Sequence, residues 1–203
     1  MPTRAENIHP SADVADSAFI PATARVWHQS QVRERARLGA NCIIGRGAYI
    51  GEGVQVGDNC KIQNYALVYE PALLEDGVFV GPGVVFTNDQ FPRAINEDGT
   101  LKAASDWIPV GVTVRHGAAI GARSVCIAPV TIGKWALVGA GSVVVKDVPD
   151  FALVVGNPAR RVGWVGAAGH PLKQENDEIW VCPVTSKRYR QISDSQLVEM
   201  DDK

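Results

Sequence analysis

No apolar run in this sequence approaches the roughly 18 residues of a membrane span, and the opening ten residues, MPTRAENIHP, lack the apolar stretch of a secretory leader. A soluble, cytoplasmic protein with no membrane partner is the expectation. A strong excess of charge is also missing. Against 20 Lys and Arg stand 22 Asp and Glu over 203 residues, a formal net charge of -2, so no basic surface calls for a nucleic-acid partner. Cysteine is scarce. Cys42, Cys60, Cys126 and Cys182 show neither the close pairs of a zinc site nor a secreted disulfide pattern, and reduced thiols are expected.

Neither the helical period of about 3.6 nor simple strand alternation runs through the chain. What recurs is six. In "IGRGAYIGEGVQVGDNCKI", residues 44 to 62, the aliphatic residues Ile44, Ile50, Val56 and Ile62 return every sixth position, and the frame extends from Ile8 through Val80 without a miss. It breaks after Phe86 and resumes as Ile108, Val114, Ile120, Cys126, Ile132, Val138 and Val144. Nineteen of these twenty anchors are Ile, Leu or Val in a chain where 49 of 203 residues are, which rules out chance. Two residues before most anchors lies a small side chain such as Ala36, Cys42, Ala48 or Cys60. Positions two apart share a strand face, so anchors and small residues together line an interior. Gly follows the anchor at 39, 45, 51, 57, 81, 121, 133 and 139, which reads as a tight turn between short strands.

This pattern resembles the hexapeptide repeat of the left-handed parallel β-helix acyltransferases, in which three hexads make one triangular coil. The resemblance implies an all-β fold of about seven coils over residues 1–165, roughly 30 Å tall at one strand spacing per coil. The left hand comes with the resemblance, since it runs against the usual crossover rule. A polar loop at 87–107 interrupts the prism, and its length suggests a function. Residues 166–203 form a tail in which "EIWVCPVTSKRYRQI" reads as a hairpin. The lone Cys182-Pro183 lacks the second cysteine pair that a zinc ribbon needs.

Residues eighteen apart stack in neighbouring coils, which gives the column Asp16, Glu34, Glu52, Glu70, Asn88. Like charges so stacked disfavour pairing unless solvent, cations or a use offsets them, and the lower three read as a solvated acidic edge. Asn88 opens the loop and Glu70 sits one coil below, so the two could hold an amine between them.

The segments "NYALVYEPALLEDGVFVGPGVVFTNDQFPRA", 64 to 94, and "VGNPARRVGW" closely resemble bacterial N-acetyltransferases of UDP-2-acetamido-3-amino-2,3-dideoxyglucuronate. The resemblance implies transfer of acetyl from acetyl-CoA to the sugar 3-amino group, for cell-surface polysaccharide synthesis, in a homotrimer with active sites between subunits. It places Asn88 at the amine, with Asn64, Tyr69, Thr87, Phe91 and Arg93 around the nucleotide sugar. A dTDP-linked 3-amino-6-deoxysugar is the alternative acceptor. An ammonium must lose a proton before attack, and Glu70, then Asp89, are the candidate bases, while His116 reads as an ordinary exposed histidine. Acetyl-CoA is expected along the C-terminal coils, its arm against Gly121, Ala122, Gly139 and Ala140 and its phosphates on Lys146, Arg160 and Arg161. No metal is expected. A γ-class carbonic anhydrase uses the same solenoid but needs three histidines around zinc, and His9 and His28 fall at different offsets from their anchors, sharing no column.

Overall fold

A computed structural model describes residues 7–200; the first six residues of the expected 1–165 unit lie outside that range. Most hexads form a two- or three-residue strand with the anchor inward and the preceding residue outward, as the burial of the pairs Arg37–Leu38 and Gln55–Val56 illustrates. Residues eighteen apart pair in parallel, Val32 with Ile50 and Ile50 with Val68. The product is the all-β, left-handed parallel β-helix. It has three faces: face 1 through Val26, Ile44 and Ile62, face 2 through Val32, Ile50 and Val68, and face 3 through Leu38, Val56 and Leu74. Corners 1, 2 and 3 follow the faces of the same number. Counting the isolated bridges at Ile8, Phe19 and Val148, face 1 has eight parallel levels and the other two seven, slightly more than the seven coils expected.

Two readings of the repeat need correction. Ile108 is not an anchor: it is exposed, and the frame resumes at the strand Val112–Val114, so the loop runs from 87 to 111 rather than to 107. Phe86, wholly buried, takes the anchor place before the break. Nor do the glycines that follow anchors make the turn. The left-handed conformation falls three residues after the anchor, at Asn41, Gly47, Asn59, Tyr65 and Trp135 among others. Gly45 and Gly121 are needed because the next coil lies directly over them, and a methyl there would collide with the Asn64 and Ala140 backbone.

All four cysteines are buried free thiols. Cys42 and Cys60 donate to the carbonyls of Gly57 and Glu75 at 3.0 and 3.2 Å, and burial pushes the Cys126 thiol up to about 12. Only thiolate reacts at speed, so Cys126 is expected to resist maleimide in native protein at mildly alkaline pH and to label fully in denaturant, read by mass spectrometry. Rapid native labelling would contradict its inward placement.

Beyond Trp164 the tail forms an antiparallel sheet of Lys173–Gln174, Ile179–Val181, Arg188–Ser193 and Gln196–Glu199. The two strands of the expected hairpin are its middle pair. Buried Tyr189 packs on Phe151 with ring centroids 5.4 Å apart, joining this sheet to the last coil.

Candidate functional site

Corner 2 carries the acidic column, and the structure neutralises its lower part. Arg33 Nε donates to Glu34 at 2.8 Å, and Arg35 pairs with Glu52. Glu70 has no such cation in the ion pairs of the described residues. Its Oε2 is buried and, among the described residues, has no hydrogen-bond partner. The oxygen occupies the space left by the missing side chain of Gly51 in the coil beneath. Elsewhere this corner offset holds a brace: Asp58 accepts from the Ala40 N–H at 2.7 Å and Asp76 from the Asp58 N–H at 2.7 Å. Glu70, one methylene longer, reaches the same notch without completing the bond. Part of its carboxylate therefore points down the prism, away from Asn88.

Above it the loop begins. The pairing of Leu67 with Val85 and Val68 with Phe86 sets Asn88 at the same register position as Glu70, one coil higher. The Asn88 carbonyl accepts the Val110 N–H at 2.9 Å, closing the neck of the loop. Thr87 is fixed by its Oγ1, which accepts from the Ala128 N–H at 3.0 Å. Asp89 Oδ1 accepts the Phe91 N–H at 2.8 Å, a local turn that commits one of its oxygens. Phe91 and Arg93 extend into the loop, Arg93 donating to the Pro92 carbonyl. Farther out, the Ala103 N–H and then Asn96 hold the Asp106 carboxyl below the usual range. A depressed carboxyl contributes order that is present above its ordinary value and lost as pH falls through the folded one.

Glu70, Tyr69, Thr87, Asn88 and Asp89 thus share corner 2. Asn64 does not join them: it stands on corner 1, bracing the Arg46 N–H at 2.9 Å. Two neighbours went unread in the sequence. Tyr49 faces outward just before Ile50, its ring 4.9 Å from that of Tyr69, and burial followed by the Glu70 charge raises its phenol pKa. Arg33 lies beside the Tyr49 hydroxyl. Two tyrosines at neighbouring outward positions were the available signal.

The expected cofactor residues are only partly together. The room at Gly121 and Gly139 is filled by the coil above, Ala140 and Val155 respectively, and is not open to a ligand. Exposed Ala140 and Gly141 leave open space at corner 1, and the Ala122 carbonyl accepts the Gly141 N–H at 2.9 Å. Arg160 and Arg161 lie on the strand that folds back on Ala152–Val155, with the Arg161 guanidinium 4.4 Å over the Trp164 ring. Lys146 lies at corner 2, the other end of face 2 from these arginines, so the three cations do not form one cluster.

His116, exposed at corner 3, meets the Trp135 ring edge-on at 5.1 Å, and its backbone N–H donates to Glu75 Oε2 at 2.8 Å. His9 and His28 do meet, contrary to the column argument: nineteen apart, their rings stack at 3.5 Å. Among the described residues no group of three His, Cys, Asp or Glu is disposed to hold a metal.

The family profile for the bacterial transferase hexapeptide (six repeats) matches residues 53–88, and that for the hexapeptide repeat of succinyl-transferase matches 35–64 and 111–146. The dTDP-3-amino-3,6-dideoxy-alpha-D-galactopyranose 3-N-acetyltransferase of Aneurinibacillus thermoaerophilus is 49% identical over 78 residues, 38% of this chain and 39% of that protein. Serine acetyltransferase of Haemophilus influenzae is 38% identical over 93 residues, 45% of this chain and 34% of that one. Among solved structures, a mutant GDP-perosamine N-acetyltransferase from Caulobacter crescentus in complex with CoA and GDP-perosamine superposes with a TM-score of 0.54 and 28% identity, over 77% of this chain and 55% of that one. A hexapeptide-repeat acetyltransferase from Vibrio cholerae complexed with acetyl coenzyme A gives 0.55 and 26%, over 64% of this chain and 70% of the other. The chain thus spans well under half of the length of the two sequence relatives.

Proposed function

Because the chain carries bacterial transferase hexapeptide repeats, we propose that it is an acetyl-CoA-dependent N-acetyltransferase acting on the 3-amino group of a nucleotide-linked sugar. UDP-2-acetamido-3-amino-2,3-dideoxyglucuronate is the first substrate of this reading. A dTDP-linked 3-amino-3,6-dideoxyhexose is the second, favoured by the 49% identity to an enzyme of that name. The observation that carries the proposal is Asn88 at the root of the inserted loop, one coil above Glu70 and beside Thr87 and Asp89.

In the proposed reaction the neutral amine nitrogen attacks the thioester carbonyl. The acceptor ammonium first gives one proton to a base; then, as the C–N bond forms and the C–S bond breaks, the surplus proton on the attacking nitrogen goes to the departing sulfur, so that CoA leaves as its thiol. Asn88 would orient the amine, and Glu70 or the free oxygen of Asp89 would receive the proton. Tyr69, Thr87, Phe91 and Arg93 surround the acceptor in this scheme. The pantetheine arm would run along corner 1 beside Ala140 and Gly141, with Arg160 and Arg161 at the phosphates. A homotrimer belongs to the same reading.

The test is mass spectrometry of products after incubation with acetyl-CoA and a panel of UDP- and dTDP-linked 3-amino sugars. One nucleotide family is expected to gain an acetyl group. A panel left entirely unmodified would end the proposal.

A further inference from the structure

The strand Arg160–Trp164 runs back along Ala152–Val155, pairing Arg161 with Val154 and Trp164 with Ala152, and Val162 is the extra residue between them. On a regular strand, residues three apart face opposite ways. The bulge at Val162 restores the phase, so Arg161 and Trp164 share the side of the buried Ala152 and Val154. There the Arg161 guanidinium lies 4.4 Å over the Trp164 ring. Arg160 takes the other side with exposed Val155, and its Nη1 donates to the Ala159 carbonyl at 2.9 Å.

The indole beneath Arg161 is held in turn by the tail. Trp164 Nε1 donates to Gln191 Oε1 at 3.2 Å, and Trp180 Nε1 donates to the same oxygen at 2.9 Å. Trp180 and Gln191 belong to the middle strands of the tail sheet. The Leu172 N–H donates to the Trp164 carbonyl at 2.9 Å, so ring and backbone are both tied. A guanidinium lying flat on an indole keeps its N–H edge for an anion, and among the described residues no protein acceptor takes the Arg161 N–H groups.

The turn that leads into this strand rests on corner 1. The Gly156 N–H donates to Ser142 Oγ at 3.1 Å, and the Ala159 N–H to the Val143 carbonyl at 2.8 Å. Arg161, two residues on, stands above the open space at Gly141. We infer that Gln191 is a positioning residue for acetyl-CoA: by fixing the Trp164 indole it holds Arg161 ready as the guanidinium that takes the cofactor's phosphates. This rests on the acyl-transfer reading and gives the tail a part in it. An arginine loose in solvent surrenders rotamer freedom when it grips a phosphate, and one already held surrenders less.

Calorimetry with two probes tests this: CoA, and pantetheine, which lacks the phosphates. Arg161→Ala is expected to weaken CoA about tenfold and to leave pantetheine alone. Gln191→Leu and Trp164→Phe break the same hydrogen bond from its two ends, and Trp164→Phe keeps a ring to plug the prism. Each should weaken CoA about threefold with pantetheine unchanged, and neither should add to the loss in an Arg161→Ala background. Tyr189→Phe is the control for a loosened tail, since it removes the phenol that accepts the Ala167 N–H at 3.2 Å. It should lower Tm and leave the ratio of the two affinities as it was. Equal losses for both probes, full additivity with Arg161→Ala, a ratio that falls as far in Tyr189→Phe, or Arg161→Ala at wild-type affinity would each overturn the inference. A wild type that binds no CoA overturns it together with the acyl-transfer reading. If CoA binds as expected but no sugar is acetylated, only the sugar reading falls.

Discussion

Ile50→Asp is expected to yield no folded protein. Ile50 is fully buried at the middle of face 2, between Val32 and Val68 in the coils below and above. The interior around it is aliphatic, so a carboxylate there finds no donor, and an unpaired buried charge or the neutralisation it forces costs several kcal/mol. Lost methyl burial adds to this. Against a total stability of about 5 to 15 kcal/mol the sum is decisive. Repeat proteins also depend on nearest-neighbour contacts, so the defect severs the coils on either side. Circular dichroism and gel filtration read the outcome. The control is Gln55→Glu, one residue before an anchor and exposed, which should melt like the wild type. A soluble Ile50→Asp with a wild-type cooperative transition would mean that the inward frame is misassigned.

The second large effect belongs to Glu70. As the base, its replacement in Glu70→Gln keeps the shape and removes proton acceptance, a contribution of about 100- to 10,000-fold. That loss should shrink as pH rises, because more acceptor amine is then already neutral. The structure supplies a competing role, since Oε2 sits in the Gly51 notch where other coils have a brace. A brace predicts the opposite signature: an altered melting temperature and an unchanged pH profile of kcat/KM. Asn88→Ala separates alignment from proton transfer. It is expected to cost on the order of 100-fold in rate, with affinity for acetyl-CoA unchanged. Wild-type turnover by Glu70→Gln at neutral pH would transfer the base role to Asp89, to His116 or to water.

The repeat was legible because each hexad repeats the same local demands, so Ile44 and Ile50 announce their neighbours. Ile108 misled because its loop places an aliphatic residue in phase by coincidence. Val148 escaped notice because the last corner is shortened, and it follows Val144 by four residues instead of six. Side-chain direction was beyond the pattern. Spacing put Glu70 under Asn88, but the notch that draws Oε2 downward exists only because Gly51 lacks a side chain one coil away. Likewise Lys146 and Arg160 are near in sequence, yet a corner and a reversal of chain direction intervene, which placed them at opposite ends of a face.

The bond between the Asn88 carbonyl and the Val110 N–H has a consequence for how such a protein can change. It ties the two ends of the loop together at the prism wall, so the coil beneath is complete whatever hangs from it: Val85 pairs with Val125 across the interruption as neatly as Leu67 pairs with Val85. The insertion is therefore a cassette. Doubling its length would add only about 0.6 kcal/mol of closure entropy, and its contents can be exchanged without re-registering a single strand. A graft of residues 89–109 from a relative would carry over that relative's acceptor contacts while the scaffold stays as it is.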